Sequence, residues 1–213
     1  MAGQAEEFSR KTGLDVSRET LARLERYESL LRKWNPAINL VGRNTLPRAW
    51  GRHFIDSAQL WRLRPKDARL WLDLGSGGGF PGLVVAVLAA ERDPALRVAL
   101  VESDGRKASF LSHVCQELGI SPKIHRDRAE TLAPQGADLV SARALAPLDR
   151  LLELAHRHLA PGGVCLFPKG KNSQSELTRA RKYWTFDIQQ TPSVTDSGGT
   201  ILKIGGLGRV SPQ

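Results

Sequence analysis

Five glycines stand within eight residues at Gly75, Gly77, Gly78, Gly79 and Gly82. They follow "LWLDL", an apolar run short enough for a buried strand, and lead into "LVVAVLAA", which reads as a buried helix. Bare backbone directly after a strand lets a ligand lie against main-chain N–H groups at a helix start. A tight turn without ligand is the plain alternative, but so many glycines would cost chain entropy for no return. One further carboxylate belongs to the same chemistry. Glu102 ends the second apolar run, "VALVE", where a carboxylate accepts hydrogen bonds from both hydroxyls of a ribose.

Two motifs can be read in the loop. Gly77, Gly79 and Gly82 spell G-x-G-x-x-G, a dinucleotide fingerprint. Asp73, Gly75, Gly77 and Gly79 spell D-x-G-x-G-x-G, the first motif of methyltransferases that use S-adenosyl-L-methionine. A dinucleotide needs free N–H groups at the helix entry for its pyrophosphate. Pro81 has none to offer, and Phe80 makes the entry apolar. Glu102 suits either ligand. The end of the chain tips the choice: "YWTFDIQQ" and "GTILKIGGL" read as two strands joined by a turn-rich segment, an antiparallel closure habitual in methyltransferases.

The elements that position these residues alternate. Strands are expected at Leu70–Gly75, Val98–Glu102, Lys123–Arg126, Ala137–Ser141 and Val164–Phe167. Helices are expected at Pro81–Ala90, Lys107–Leu118 and Leu148–Leu159. This predicts an α/β, Rossmann-like fold: a mostly parallel seven-stranded sheet with a terminal antiparallel hairpin. Ahead of it, Leu21, Leu24, Tyr27, Leu30, Leu31 and Trp34 recur at threes and fours, one face of a helix that Asn35–Pro36 should end. A second helical stretch starts near Leu46. The chain thus divides into a helical extension, residues 1–69, and a catalytic domain, residues 70–213.

The net charge is +9, and residues 1–69 carry 14 Lys/Arg against 8 Asp/Glu, two thirds of the excess in one third of the chain. Such a bias favours a polyanionic partner, most simply nucleic acid. No apolar run is long enough for a membrane span, and the first residues lack the apolar core of a secretory signal. Cys115 and Cys165 are far apart and show no metal-ligand spacing, which suits a reducing cytoplasm and implies no metal.

The segments "KWNPAINLVG", "RHFIDS", "LDLGSGGGFPG", "ESDGRKASFL", "RAE", "SARALAPL" and "PGG…KG" occur in that order. Together they resemble the RsmG (GidB) family of bacterial 16S ribosomal RNA (guanine-N7)-methyltransferases. The resemblance covers roughly residues 20–207. It implies a class I methyltransferase fold, S-adenosyl-L-methionine as cofactor, and a guanosine in the 530 loop of 16S rRNA as substrate. It further implies a cytoplasmic monomer acting on that RNA or on the small ribosomal subunit. Carried over by residue, Gly75, Gly77 and Phe80 would line the cofactor loop and Glu102 would hold the ribose. Ala129 and Glu130 would flank the adenine, and Arg143 would stand beside the methyl donor. Guanine N7 has a lone pair and no proton to lose, so Arg143 acts by position and charge, without a general base. Plainer readings stand beside these. Arg143 could serve an ion pair, Glu130 a helix dipole, His53 and Asp56 an exposed surface pair, and Lys169 and Lys171 either RNA or a solvated strand end. A methyltransferase with a protein or small-molecule substrate, or a non-catalytic RNA-binding module, also remains open on the residues alone.

Overall fold

The computed structural model describes residues 2–210. The chain begins with α1 (Ala2–Thr12) and α2 (Arg18–Ile38). An irregular helical stretch follows: a 3-10 turn at Leu46–Arg48, a wider π-helical turn at Trp50–Ile55, the short α3 (Asp56–Ala58), and a second 3-10 turn at Gln59–Leu63. Strands β1 (Leu70–Leu74), β2 (Arg97–Val101), β3 (Lys123–His125), β4 (Ala137–Ala142) and β5 (Leu159–Lys169) are parallel. The hairpin of β6 (Trp184–Pro192) and β7 (Thr200–Arg209) closes the sheet, with β7 antiparallel to β5. The strand order is β3-β2-β1-β4-β5-β7-β6. It reverses direction between β1 and β4, the point at which open α/β sheets bind ligands beyond the strand ends.

Alternate residues of the central strands point to opposite faces. Trp71, Leu100 and Leu139 face α1, α2, α4 (Gly82–Arg92) and α5 (Gly105–Leu118). Leu72, Leu74, Val140 and Phe167 face α6 (Leu148–His158) and α7 (Ser173–Ala180). The N-terminal helices therefore share a core with the sheet. Phe8, Leu24, Tyr27, Leu31 and Phe54 are wholly buried in it. At about 1.5–3 kcal/mol for each such side chain, this is a firm attachment.

Two expectations are corrected by these elements. The first is that Asn35–Pro36 ends the helix. Instead α2 runs through Pro36 to Ile38, and the stop is Asn39 in the left-handed region (φ 47°). Pro36 stands in the last turn, and Asn35 itself holds the exit, accepting at its carbonyl from Asn39 N–H (3.0 Å) and at Oδ1 from Val41 N–H (2.8 Å). The second is that β5 spans four residues; it spans eleven. Helices α1 and α7 went unread because neither carries a long apolar stripe.

Candidate active site

Asp73 is fully buried on β1 and organises the start of the glycine loop. Its Oδ1 accepts from the Ser141 hydroxyl (2.6 Å), which in turn accepts from the Trp71 indole N–H (2.8 Å). Its Oδ2 accepts from Gly82 N–H (3.1 Å). Burial pushes this carboxyl up to about 6, against the hydrogen bonds of Ser141, Ser76 and Gly82. Asp73 thus fastens the first turn of α4 to the two central strands.

The five glycines serve two different ends. A Cβ on Gly82 would stand 2.6 Å from Asp73 Cβ, and one on Gly79 would fall 2.9 Å from Leu83 Cβ. These two are bare because protein packs on them, and neither lines the cavity at the strand ends. Gly75, Gly77 and Gly78 do line it, although a Cβ on Gly75 would also meet Leu145 Cδ1 (2.5 Å) and one on Gly78 Leu40 Cβ (3.2 Å). Gly75 and Gly77 adopt left-handed backbone (φ 64° and 56°), where any side chain would be strained. Phe80 also borders the cavity but is only 3% exposed. Its ring packs under the loop, against Tyr27 (5.3 Å, stacked) and His53 (5.1 Å).

Glu102, 7% exposed, lies at the end of β2 on the same cavity. Its Oε2 accepts from Gly77 N–H (2.7 Å) and its Oε1 from Asp104 N–H (2.8 Å). The carboxylate is held by backbone donors, and each oxygen keeps a lone pair for a ligand hydroxyl. The cavity, of about 1040 Å³, extends from this carboxylate past Arg143 to Lys169 and Arg179. It is deep enough for a nucleoside cofactor and a second reactant. The residues present fit S-adenosylmethionine: left-handed glycines at Gly75 and Gly77 on the cavity wall, an anchored carboxylate for ribose, and a helix entry where Pro81 has no N–H to offer a pyrophosphate.

Arg143 extends from the end of β4 into the N-terminal helices. It donates through Nη1 to the Arg52 carbonyl (3.0 Å) and to Asp56 Oδ2 (3.3 Å), and through Nη2 to His53 Nδ1 (2.9 Å). An arginine only donates, so Nδ1 of His53 is the acceptor and Nε2 carries the proton, directed at Thr45 Oγ1 (2.9 Å). Burial, Arg143 and Arg52 lower the His53 pKa to about 3, so this imidazole is neutral. Asp56 Oδ1 accepts from Gln59 Nε2 (3.0 Å) and from the Thr195 hydroxyl (2.6 Å) of the β6–β7 turn. His53 and Asp56 are each 6% exposed. The reading of them as an exposed surface pair is therefore wrong. They are the buried seat of Arg143, and the guanidinium also lies 5.1 Å from the Phe80 ring centroid.

Other expected site residues are placed differently. Lys169 is not a solvated strand end: its ammonium donates to Glu176 (2.8 Å) and the Ala146 carbonyl (3.1 Å), which ties the loop after Arg143 to α7. Lys171 is exposed. Ala129 and Glu130 lie outside the cavity lining. The Ala129 carbonyl meets His158 Nε2 (2.7 Å), and Glu130 pairs with Arg150 (3.0 Å). Both cysteines are buried, and burial raises both thiols, Cys115 to about 12. The reading missed Ser141, Thr45, Gln59 and Thr195. Polar residues at such separations give no local signal.

The strand order, the reversed last strand and the loop-plus-carboxylate site define a class I S-adenosylmethionine-dependent methyltransferase fold. Solved structures agree. An N-methyltransferase NodS from Bradyrhizobium japonicum, in complex with S-adenosyl-L-homocysteine, matches with a TM-score of 0.55 at 16% identity, over 87% of this chain and 98% of that one. A methyltransferase from Geobacter sulfurreducens matches with a TM-score of 0.54 at 16% identity, over 90% of this chain and 92% of that one. The family model of rRNA small subunit methyltransferase G (GidB) matches residues 20–203, and the chain belongs to that family. Ribosomal RNA small subunit methyltransferase G from Cereibacter sphaeroides is 54% identical over 92% of this chain and 95% of its own. The protein of the same name from Rhodospirillum centenum is 54% identical over 93% and 88%. Among the described residues, no helix is long and apolar enough to cross a membrane.

Proposed function

We propose that this chain transfers a methyl group from S-adenosyl-L-methionine to N7 of a guanosine in the 530 loop of 16S rRNA, guanosine 527 in the usual rRNA numbering. The observation that carries the reading is one cavity bordered by Gly75, Gly77, Glu102 and Arg143, in a chain of this family. The cofactor, when bound, supplies an electrophilic methyl group on a sulfonium. Glu102 receives the ribose hydroxyls, and Gly75 and Gly77 leave room for the backbone to approach. Ala129 and Glu130 are kept as adenine neighbours on the family resemblance alone.

Guanine N7 attacks with a lone pair that lies in the ring plane, so no side chain must remove a proton. That agrees with the polar groups present. His53 is neutral with its Nδ1 engaged by Arg143, and Asp56 is held by Arg143, Gln59 and Thr195. What remains is alignment at near-attack distance. Arg143, seated by three acceptors, holds a rigid cationic edge on the cavity; its remaining N–H groups orient a carbonyl or phosphate of the RNA. Arg43 and Arg48, exposed on the extension, supply phosphate contacts. Arg52 is committed in part to Asp196 (3.0 Å). The substrate is 16S rRNA or the small subunit, and the enzyme works as a cytoplasmic monomer divided at residues 69 and 70 into extension and catalytic domain. The test is transfer of labelled methyl from S-adenosylmethionine to 16S RNA taken from cells that lack the protein. Label in RNA is expected; label in protein, or none, would favour the other two classes.

A further inference from the structure

We propose that Tyr27, on α2, is a positioning residue for cofactor binding: its hydroxyl fixes the Gly78 carbonyl and its ring backs Phe80, so the N-terminal helices shape the cofactor loop. The inference rests on the cofactor reading above and adds a residue from outside the sheet domain. A buried aromatic at helical spacing is ordinary core, and phenylalanine would fill the same space. The hydroxyl is the informative group. Tyr27 is wholly buried, and its hydroxyl donates to the Gly78 carbonyl. Among the described residues, this is the hydrogen bond that the carbonyl receives. Burial holds the phenol well above its ordinary pKa, so it stays a donor. The neighbouring Gly79 (φ 95°) has no side chain where the phenol oxygen sits, and an added Cβ there would collide with it. The glycine pair Gly78–Gly79 is thus shaped around a side chain 51 residues earlier in the chain.

The contact reaches the second half of the site as well. Tyr27 stacks on Phe80 with an interplanar angle of 11°, and Phe80 in turn meets His53 and Arg143. Leu40, just past the end of α2, borders Gly78 from the same side. The cradle has left-handed residues on both sides of Gly78; the Ser76 carbonyl ties it from within, accepting from Gly79 N–H (2.7 Å) and Phe80 N–H (3.0 Å), but the Gly78 carbonyl takes no part in that turn. Tyr27 adds the clamp at that carbonyl and so helps to hold the loop in one conformation before the ligand arrives, which lowers the ordering cost of binding.

Tyr27→Phe keeps the ring and removes the clamp. The KM for S-adenosylmethionine and the Kd for S-adenosylhomocysteine, by calorimetry, are expected to rise about tenfold. The kcat at saturating cofactor and the affinity for 16S RNA should change by less than about twofold. Amide exchange at residues 75–80 of the free protein should quicken while the sheet stays protected. Tyr183→Phe, at an exposed position, is the control and should change nothing. Unchanged Kd and unchanged exchange would overturn the inference. So would a fall in kcat with KM unmoved, since that is how a merely destabilised fold would behave. A parent protein that fails to bind S-adenosylhomocysteine would overturn the cofactor reading itself, and the inference with it.

Discussion

Replacing Arg143 by alanine takes the donor away from three acceptors at once: the Arg52 carbonyl, His53 Nδ1 and Asp56 Oδ2. Asp56 keeps Gln59 and Thr195 but loses its counter-charge. Breaking a buried ion pair from one side costs about 3–5 kcal/mol. The Arg143 side chain is 17% exposed and the contact is 3.3 Å long, which places the cost near the lower end, about 3 kcal/mol. The variant should therefore lose stability as well as activity. Adding Asp56→Asn removes the stranded charge, so the double variant should recover about 1–2 kcal/mol of that loss, a non-additive result for two groups in contact. Methylation should not recover, and should stay down about 100-fold in both variants, because the cationic edge on the cavity is gone. The assays are urea unfolding and single-turnover methylation at saturating cofactor. A stability change below about 1 kcal/mol for Arg143→Ala would contradict the ion pair. A double variant with the parent's rate would show that Arg143 serves the scaffold alone.

Glu102→Gln leaves one carboxamide oxygen where two carboxylate oxygens now receive Gly77 and Asp104 N–H, so cofactor binding should weaken by about 1–3 kcal/mol in calorimetry. An unchanged Kd would assign Glu102 to the fold. His53 gives a pH signature. Its native pKa of about 3 lies below the unfolded value of 6.5, so its contribution is present above pH 6.5 and is lost as pH falls toward 3. Between pH 7 and pH 5 the parent should lose about 2 kcal/mol relative to His53→Gln in urea unfolding. Asp73 acts oppositely across about pH 4–6, since its pKa is raised; the comparison of parent and variant removes its effect. A parallel pH dependence in the two proteins would mean that His53 titrates normally. Changing Arg43 and Arg48 together to Gln should flatten the log–log salt dependence of RNA binding by a slope of about 2 while cofactor affinity holds; an unchanged slope would place the phosphate contacts elsewhere.

The sheet was legible because its signals are local. The runs that form β1, β2 and β4 are each followed by a periodic helix, and the two last runs are joined by turn residues alone. The carboxylate at Glu102 was legible for the same reason, as it closes a strand. The seat of Arg143 was not. It draws His53 and Asp56 from the irregular helical stretch and Thr195 from a hairpin turn 139 residues beyond Asp56, and no periodicity links such positions. The glycines illustrate both cases. Their number signals close approach correctly, yet only a three-dimensional view separates Gly75 and Gly77, which open onto the cavity, from Gly79 and Gly82, which make room for Tyr27 and Asp73. Lys169 looked solvated because a lysine before Gly170 ends a strand; its partner Glu176 lies on a helix too short to announce itself.

The central claim is methyl transfer to guanine N7, and the nucleoside formed in the reaction tests it most directly. Purified protein, S-adenosylmethionine and small-subunit RNA or particles from cells lacking the protein would be incubated, the RNA digested, and the product identified by mass spectrometry, with its place mapped by cleavage at the modified base. The account predicts 7-methylguanosine at a single position in the 530 loop, formed at a rate that shows no side-chain base titrating near neutral pH. Methylation at an exocyclic amine, a ring nitrogen that bears a proton, or a ribose hydroxyl would contradict it, because each of those acceptors must lose a proton and N7 has none to lose.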